Sequence, residues 1–375
     1  MVLGTLICLG SFVAVFGPSS EAQRDDGGRT SGSDLTVEEY TPRSTLVVEE
    51  HRVPRAKYPV IDVHSHHWSL SSSQWSEILS EMDQLNLQVL VNLSGGSGSA
   101  LQRKIETIEA SNAPSRMVHF ANLDFGGGVY PGFGKTAAEQ LETDVHAGAV
   151  GLKFFKNFGI DVRDQSGQRV PVDHPELDPV FEMCAALDIP VLIHVGEPSE
   201  FYQPVDKFNE RWLELTLLPN RRMPRSQYPS FDEMMAERDR LFSKHPTTRF
   251  VAAHFGWHAN DLGRLGKLLD RLPNVYPETA AILYELGRQP RAAREFFIKY
   301  QDRLLFGKDS YRPEEFPFYW RTFETADEYF DYYRRYHAFW KLYGIDLPDE
   351  VLRKVYYVNA LKVVPGIDRA QFPPF

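Results

Sequence analysis

From Tyr58 onward the chain alternates two kinds of hydrophobic pattern. Short stretches that are apolar at consecutive positions fall at 60–64, 88–93, 117–123, 149–155, 190–195, 249–254, 274–280 and 303–307. Such runs suit strands buried on both faces, as in a parallel sheet covered by helices. Between them, apolar residues recur three and four positions apart at 74–85, 100–110, 136–147, 177–187, 231–244, 262–272 and 291–299. That spacing predicts amphipathic helices. About eight strand–helix units in roughly 250 residues predict an α/β fold of the (β/α)8 TIM-barrel type rather than an open sheet. No Gly-x-Gly-x-x-Gly follows the first strand, which argues against a dinucleotide-binding Rossmann domain. Two extra C-terminal helices are expected at 325–342 and 349–363. The first is dense in Tyr and Phe, which suits a cap on the barrel or a contact in a homodimer. Pro277 inside the seventh strand run predicts that this strand is shortened or bulged.

The segment before the barrel reads differently. Residues 2–16 are almost wholly apolar, too short to span a membrane and of the length of a signal-peptide core. Ser20-Glu21-Ala22 then places small residues where a signal peptidase cuts, although no Lys or Arg precedes the apolar run. The expectation is a signal peptide over 1–22, export of the mature chain, and no stable membrane insertion after its removal. Residues 23–45 are polar and rich in Gly, Ser, Asp and Arg, and are expected to form a flexible linker to a single domain over 46–375. Of the two cysteines, Cys8 lies in the apolar run and Cys184 in a helical one, so the fold must rest on its core and not on disulfides. The 41 basic residues against 51 acidic ones leave a net charge of −10, which disfavours nucleic acid as a partner and leaves a small molecule as the expected substrate.

In a (β/α)8 barrel the chemistry sits at the carboxyl ends of the strands. The histidines fall there: the first strand ends in Asp62-Val63-His64-Ser65-His66, the fifth in Ile193-His194 and the sixth in Ala253-His254. The eighth runs into Phe306-Gly307-Lys308-Asp309-Ser310. Residues i and i+2 of a strand share a face, so His64 and His66 can aim two imidazoles at one point, with His194 and Asp309 arriving from other strands. Three neutral imidazoles and a carboxylate fit one divalent ion, Zn2+ foremost, with Mn2+ or Fe2+ as alternatives, and leave a position for water or substrate. Strand alternation turns Lys308 away from that point. Glu278 could reach the barrel mouth or form a structural ion pair.

These pieces, with Gly151-Leu152-Lys153, resemble the amidohydrolase superfamily, in particular the amidohydrolase-related branch that also holds metal-dependent decarboxylases. The resemblance spans about Tyr58 to Val364. It implies that His64, His66, His194 and Asp309 are metal ligands and that His254 polarises substrate or carries a proton. Lys153 ends the fourth strand, where two-metal members carry a carboxylated lysine. In a one-metal site it would neutralise a substrate carboxylate or pair with Asp309, and a one-metal site is the expectation.

The longest loop, about 197–230, follows the fifth strand and carries Arg221, Arg222 and Arg225. Arg221 and Arg222 are expected to grip a substrate carboxylate, and Trp257, His258, His67 and Trp68 to line the pocket. His51, His119, His146, His174, His245 and His337 have no convergent partners and read as structural. The function expected is metal-dependent hydrolysis: water activated by the ion attacks an ester, lactone or amide-like carbonyl, and Asp309 and His254 handle protons. The alternative is nonhydrolytic decarboxylation at the same site.

Overall fold

The computed structural model describes Thr36, Glu39 and residues 43–375. The expected signal peptide and nearly all of the expected linker lie outside these residues. Strands β1 (Val60–Ser65), β2 (Leu87–Asn92) and β3 (Met117–His119) form one parallel sheet. Strands β4 (Ala121–Asn122), β5 (Leu152–Phe154), β6 (Val191–Ile193), β7 (Phe250–Ala252) and β8 (Val275–Pro277) form a second, in that order. Phe120 alone separates β3 from β4, so one stretch pairs with β2 on one side and with β5 on the other. The gap after β8 is filled by 305–309: Leu305 bridges Glu278 and Asp309 bridges Ser65, both in parallel. Val63 N–H reaches Phe306 C=O at 3.0 Å, and Asp309 N–H reaches His64 C=O at 2.7 Å. The parallel array therefore returns to β1 and makes the expected barrel.

Burial explains the pattern. All six residues of β1 are buried, as are all residues of β5, β6 and β7, because helices cover their outer faces. β8 ends on Pro277, which has no N–H for a ladder, so this strand is short as its proline predicts. The helix Ser72–Leu85 starts two residues before the expected position because Ser71 and Gln74 form a reciprocal cap. Ser230 and Glu233 do the same for Phe231–Lys244. Cys184 is buried, and burial pushes its thiol up, which keeps it unreactive. The chain from Thr45 to Phe375 packs as one unit, and no helix among the described residues is long and apolar enough to cross a membrane.

The C-terminal helix expected at 325–342 is not formed. A helix occupies Phe316–Glu324 instead, opened by Pro317, and the chain beyond it is irregular apart from an antiparallel bridge between Phe330 and Leu342. Asp327 stops the helix from continuing. Its buried carboxylate turns inward to accept Arg321 Nε at 2.7 Å and His51 N–H at 2.8 Å. Gly344 then packs so closely on Thr325 C=O that a Cβ would stand 2.0 Å from the oxygen. The aromatic residues of this segment read as a helical stripe, yet they pack as a folded-back loop, Tyr332 on Tyr333 and on Tyr284. The helix at 349–363 is present, with one wide turn at Lys354–Val358.

Lys308 points away from the barrel mouth, as strand alternation requires. Its buried ammonium pairs with Glu315, which also takes Arg334 Nη2 at 3.2 Å. Lys308→Met removes one partner of a buried pair and is expected to cost about 3 kcal/mol of stability, read by urea unfolding.

Candidate metal centre

His64 and His66 leave β1 on the same side, as period-two alternation demands, and Asp309 is carried to them by its bridge to Ser65. His64 Nε2 stands 3.2 Å from His66 Nε2 and 3.7 Å from Asp309 Oδ1, and His66 Nε2 stands 3.6 Å from the same oxygen. Each imidazole is committed on its other nitrogen. His64 Nδ1 lies 2.9 Å from Glu278 Oε1, and His66 Nδ1 lies 2.7 Å from Ser94 Oγ. A proton on each Nδ1 leaves both Nε2 lone pairs facing one another. Two lone pairs at 3.2 Å repel unless a cation lies between them.

Donors about 2.0–2.1 Å from a tetrahedral zinc ion stand about 3.4 Å apart. The observed triangle matches that edge. The charge states match too. Burial holds His64 well below its usual range and His66 at about 4, so both are neutral at pH 7. Burial opposes ionisation of Asp309, but His64, His254, His66 and the Lys153 ammonium around it hold its carboxyl below the usual carboxylate range. Lys153 is itself buried, and burial lowers it to about 8. Its Nζ lies 3.5 Å from His64 Nε2.

A second group of candidate donors, His64, His254 and Glu278, shares His64 with the first. It is the poorer site. Glu278 Oε1 already accepts from His64 Nδ1 and from His254 N–H at 2.7 Å, and His254 Nδ1 lies 2.8 Å from Ala280 C=O. It is also sealed, whereas the side chains of His66 and Asp309 keep 16% and 32% of their surface open to solvent.

His194 belongs to neither group of donors. Its Nδ1 lies 3.2 Å from His254 Nε2, while its Nε2 is buried without a hydrogen-bond partner. Both rings border the cavity that holds Asp309, of about 140 Å3. Trp257 is there as expected, stacked 4.5 Å from His254 at 28°. Of the two arginines expected from the long loop, Arg221 lines the cavity and Arg222 does not. The Arg222 guanidinium is tied to Leu215 C=O at 3.0 Å, so it is not in reach of this cavity's substrate. Lys156 faces the cavity through a 2.7 Å contact to Glu197. His258 is turned to Arg238, at 3.2 Å, and His67 to Ser65, at 2.8 Å. Trp68 lies exposed over His66, stacked at 5.8 Å and 9°.

Sequence reading misses Arg211, Glu214, Arg334 and His337. The fully buried carboxylate of Glu214 gathers three groups: Arg211 Nε donates to it at 2.6 Å, Arg221 pairs with it, and His337 Nε2 lies 3.2 Å away. His337 reads as structural in the sequence because its partners lie more than a hundred residues upstream, in a loop whose path no local pattern reveals. Asn92, although it begins an Asn-Leu-Ser triplet, is buried with Nδ2 bonded to His67 C=O at 3.2 Å and is no glycosylation acceptor.

A (β/α)8 barrel with histidines and carboxylates gathered at the carboxyl ends of its strands defines a class of metal-dependent enzymes. The family model described as amidohydrolase matches residues 61–366, and the chain belongs to that family, which is metal-dependent. No curated protein matches the sequence. Among solved structures, a TIM-barrel protein of Bordetella bronchiseptica superposes with a TM-score of 0.51 at 13% identity, over 81% of this chain and 98% of that one. A 2,6-dihydroxybenzoate decarboxylase from Rhizobium gives 0.49 at 17% identity, over 82% and 98%. A 5-carboxyvanillate decarboxylase from Sphingomonas paucimobilis gives 0.49 at 15%, over 82% and 99%. At such identities the likeness speaks to fold and not to chemistry.

Proposed function

We propose that the chain is a metal-dependent hydrolase acting on a carbonyl group of a small, carboxylate-bearing substrate. The observation that carries this reading is the donor triangle of His64, His66 and Asp309, with edges of 3.2, 3.6 and 3.7 Å. These three residues hold one divalent ion, zinc foremost. His194, whose buried Nε2 has no hydrogen-bond partner, would be the fourth donor. The chemistry such an ion supplies is polarisation of a carbonyl oxygen and activation of water near neutral pH.

The protein's own groups do the rest. Asp309, ionised at neutral pH, accepts a proton from the attacking water. His254, whose Nδ1–H is held by Ala280 C=O, has an Nε2 free of a proton; that nitrogen takes the proton on from Asp309 and passes it to the leaving group. Lys153 adds to the surroundings that keep Asp309 charged. Arg221 and Arg334 come from two separate loops, and both border the cavity that Asp309 also lines. Each uses part of its guanidinium on Glu214 or Glu315 and offers the remaining N–H groups to a carboxylate.

That cation-lined wall also favours a second reading, nonhydrolytic decarboxylation, in which His254 or Asp309 delivers the proton to carbon. Product analysis in 18O-labelled water separates the two. Label in the product means hydrolysis, and CO2 release without label means decarboxylation. The wall itself is tested by Arg334→Ala and Arg221→Lys. Each is expected to raise KM for a carboxylated substrate about 10–100-fold while changing kcat little. Unchanged KM in both variants removes the carboxylate from the reading.

A further inference from the structure

Glu278 carries three hydrogen bonds that the proposed reaction does not use. It is fully buried at the end of β8. Its Oε1 lies 2.9 Å from His64 Nδ1 and accepts His254 N–H at 2.7 Å, and its Oε2 accepts Ala280 N–H at 2.5 Å. Two features of the backbone accommodate this carboxylate. Gly307 leaves it room, since a Cβ there would stand 2.1 Å from Oε2. His254 sits in the left-handed region, φ 58° and ψ 41°, which costs a non-glycine residue about 1 kcal/mol or more, and that conformation aims its N–H at Oε1.

We propose that Glu278 is a positioning residue that sets two reacting side chains with one oxygen: it fixes the tautomer of His64, so that Nε2 is free to bind metal, and it holds the backbone of His254. The proposal rests on the reading of His64 as a metal donor. A carboxylate is required because it accepts on both sides. An amide has one oxygen. Turned towards Ala280, it sets its NH2 against His254 N–H and presents it to His64 Nδ1, demanding the tautomer with the proton on Nε2, which removes the donor. Turned the other way, it sets NH2 against Ala280 N–H. Outer hydrogen bonds of this kind are worth roughly 10–100-fold in metal affinity.

The test is made on the whole chain, stripped of metal, with 15N-labelled histidine. The His64 signals are assigned by their loss in His64→Asn. In the wild type, His64 is expected as the single tautomer protonated at Nδ1. In Glu278→Gln the Nε2–H tautomer is expected to appear, and Kd for Co2+ to rise about 10–100-fold. A wild type in which His64 populates both tautomers overturns the proposal without recourse to a variant. So does a folded Glu278→Gln with the wild-type tautomer and a Co2+ Kd within about twofold of the wild type. A wild type that binds no Co2+ while His64 keeps its single tautomer overturns the metal reading alone and leaves the positioning of His64 standing.

Discussion

His64→Ala and Asp309→Asn are each expected to strip the protein of its metal and to lower kcat/KM on the order of 10³-fold, about 4 kcal/mol of transition-state stabilisation. The two substitutions act on different corners of one triangle. His64→Ala deletes a donor at the shortest edge of the triangle and leaves Glu278 with one partner fewer. Asp309→Asn keeps the shape and removes the negative charge, so the buried Lys153 ammonium loses the carboxylate that does most to keep it charged. The measurement is metal per chain by elemental analysis on protein purified without chelator, beside activity and melting temperature. About one equivalent in the wild type and none in either variant, with the fold retained, is the expected result. About two equivalents in the wild type would make Lys153 the carboxylated bridge of a two-metal site. Full metal and full activity in His64→Ala would remove the centre from the mechanism.

Acid is expected to unfold the metal-free protein between about pH 6.5 and 4, a window that opens above the range in which ordinary carboxylates protonate. Burial pushes His66, His67 and His119 down to about 4, and holds His64 and His194 well below their usual range. Through this window the unfolded chain binds protons at these positions and the folded chain does not, so stability falls as pH falls. For a histidine held at about 4, the loss by pH 4 is about 3 kcal/mol. Three such residues rival the whole stability of a typical domain, about 5–15 kcal/mol. The check is urea unfolding of the metal-free protein at intervals from pH 7 to 4. A metal that binds neutral imidazoles strengthens the folded side, so the loaded protein is expected to hold to lower pH. Stability that is flat over this window would mean that the histidines are charged in the folded state.

The barrel and the gathering of candidate donors at its rim are legible in the sequence for the same reason. Strand runs such as 60–64 and 249–254 are buried on both faces, so their apolar character survives in sequence without knowledge of their neighbours. The fold also sends every strand's carboxyl end to one rim, so His64, His66, His194, His254 and Asp309 can be placed together before any contact is known. Period two is enough to turn Lys308 outward and His64 and His66 inward.

Local pattern gives no such purchase on the wall of the site. Arg222 and Arg221 are adjacent in sequence, and only the path of the loop sends one to Leu215 C=O and the other to the cavity. The aromatic run at 325–342 has helical spacing, yet the inward turn of Asp327 makes it a loop that carries Arg334 and His337 to the cavity.

By itself, then, the sequence determined the fold class and the rim at which the candidate metal donors gather. These depend on periodicity and on strand ends, which are properties of a few neighbouring residues. Tertiary structure alone decided which nitrogen of each histidine faces the centre, that Glu278 serves His64 and His254 at once, and which arginines reach the cavity. Those depend on hydrogen bonds and ion pairs between residues as far as 214 positions apart, and their geometry exists only once the barrel has closed.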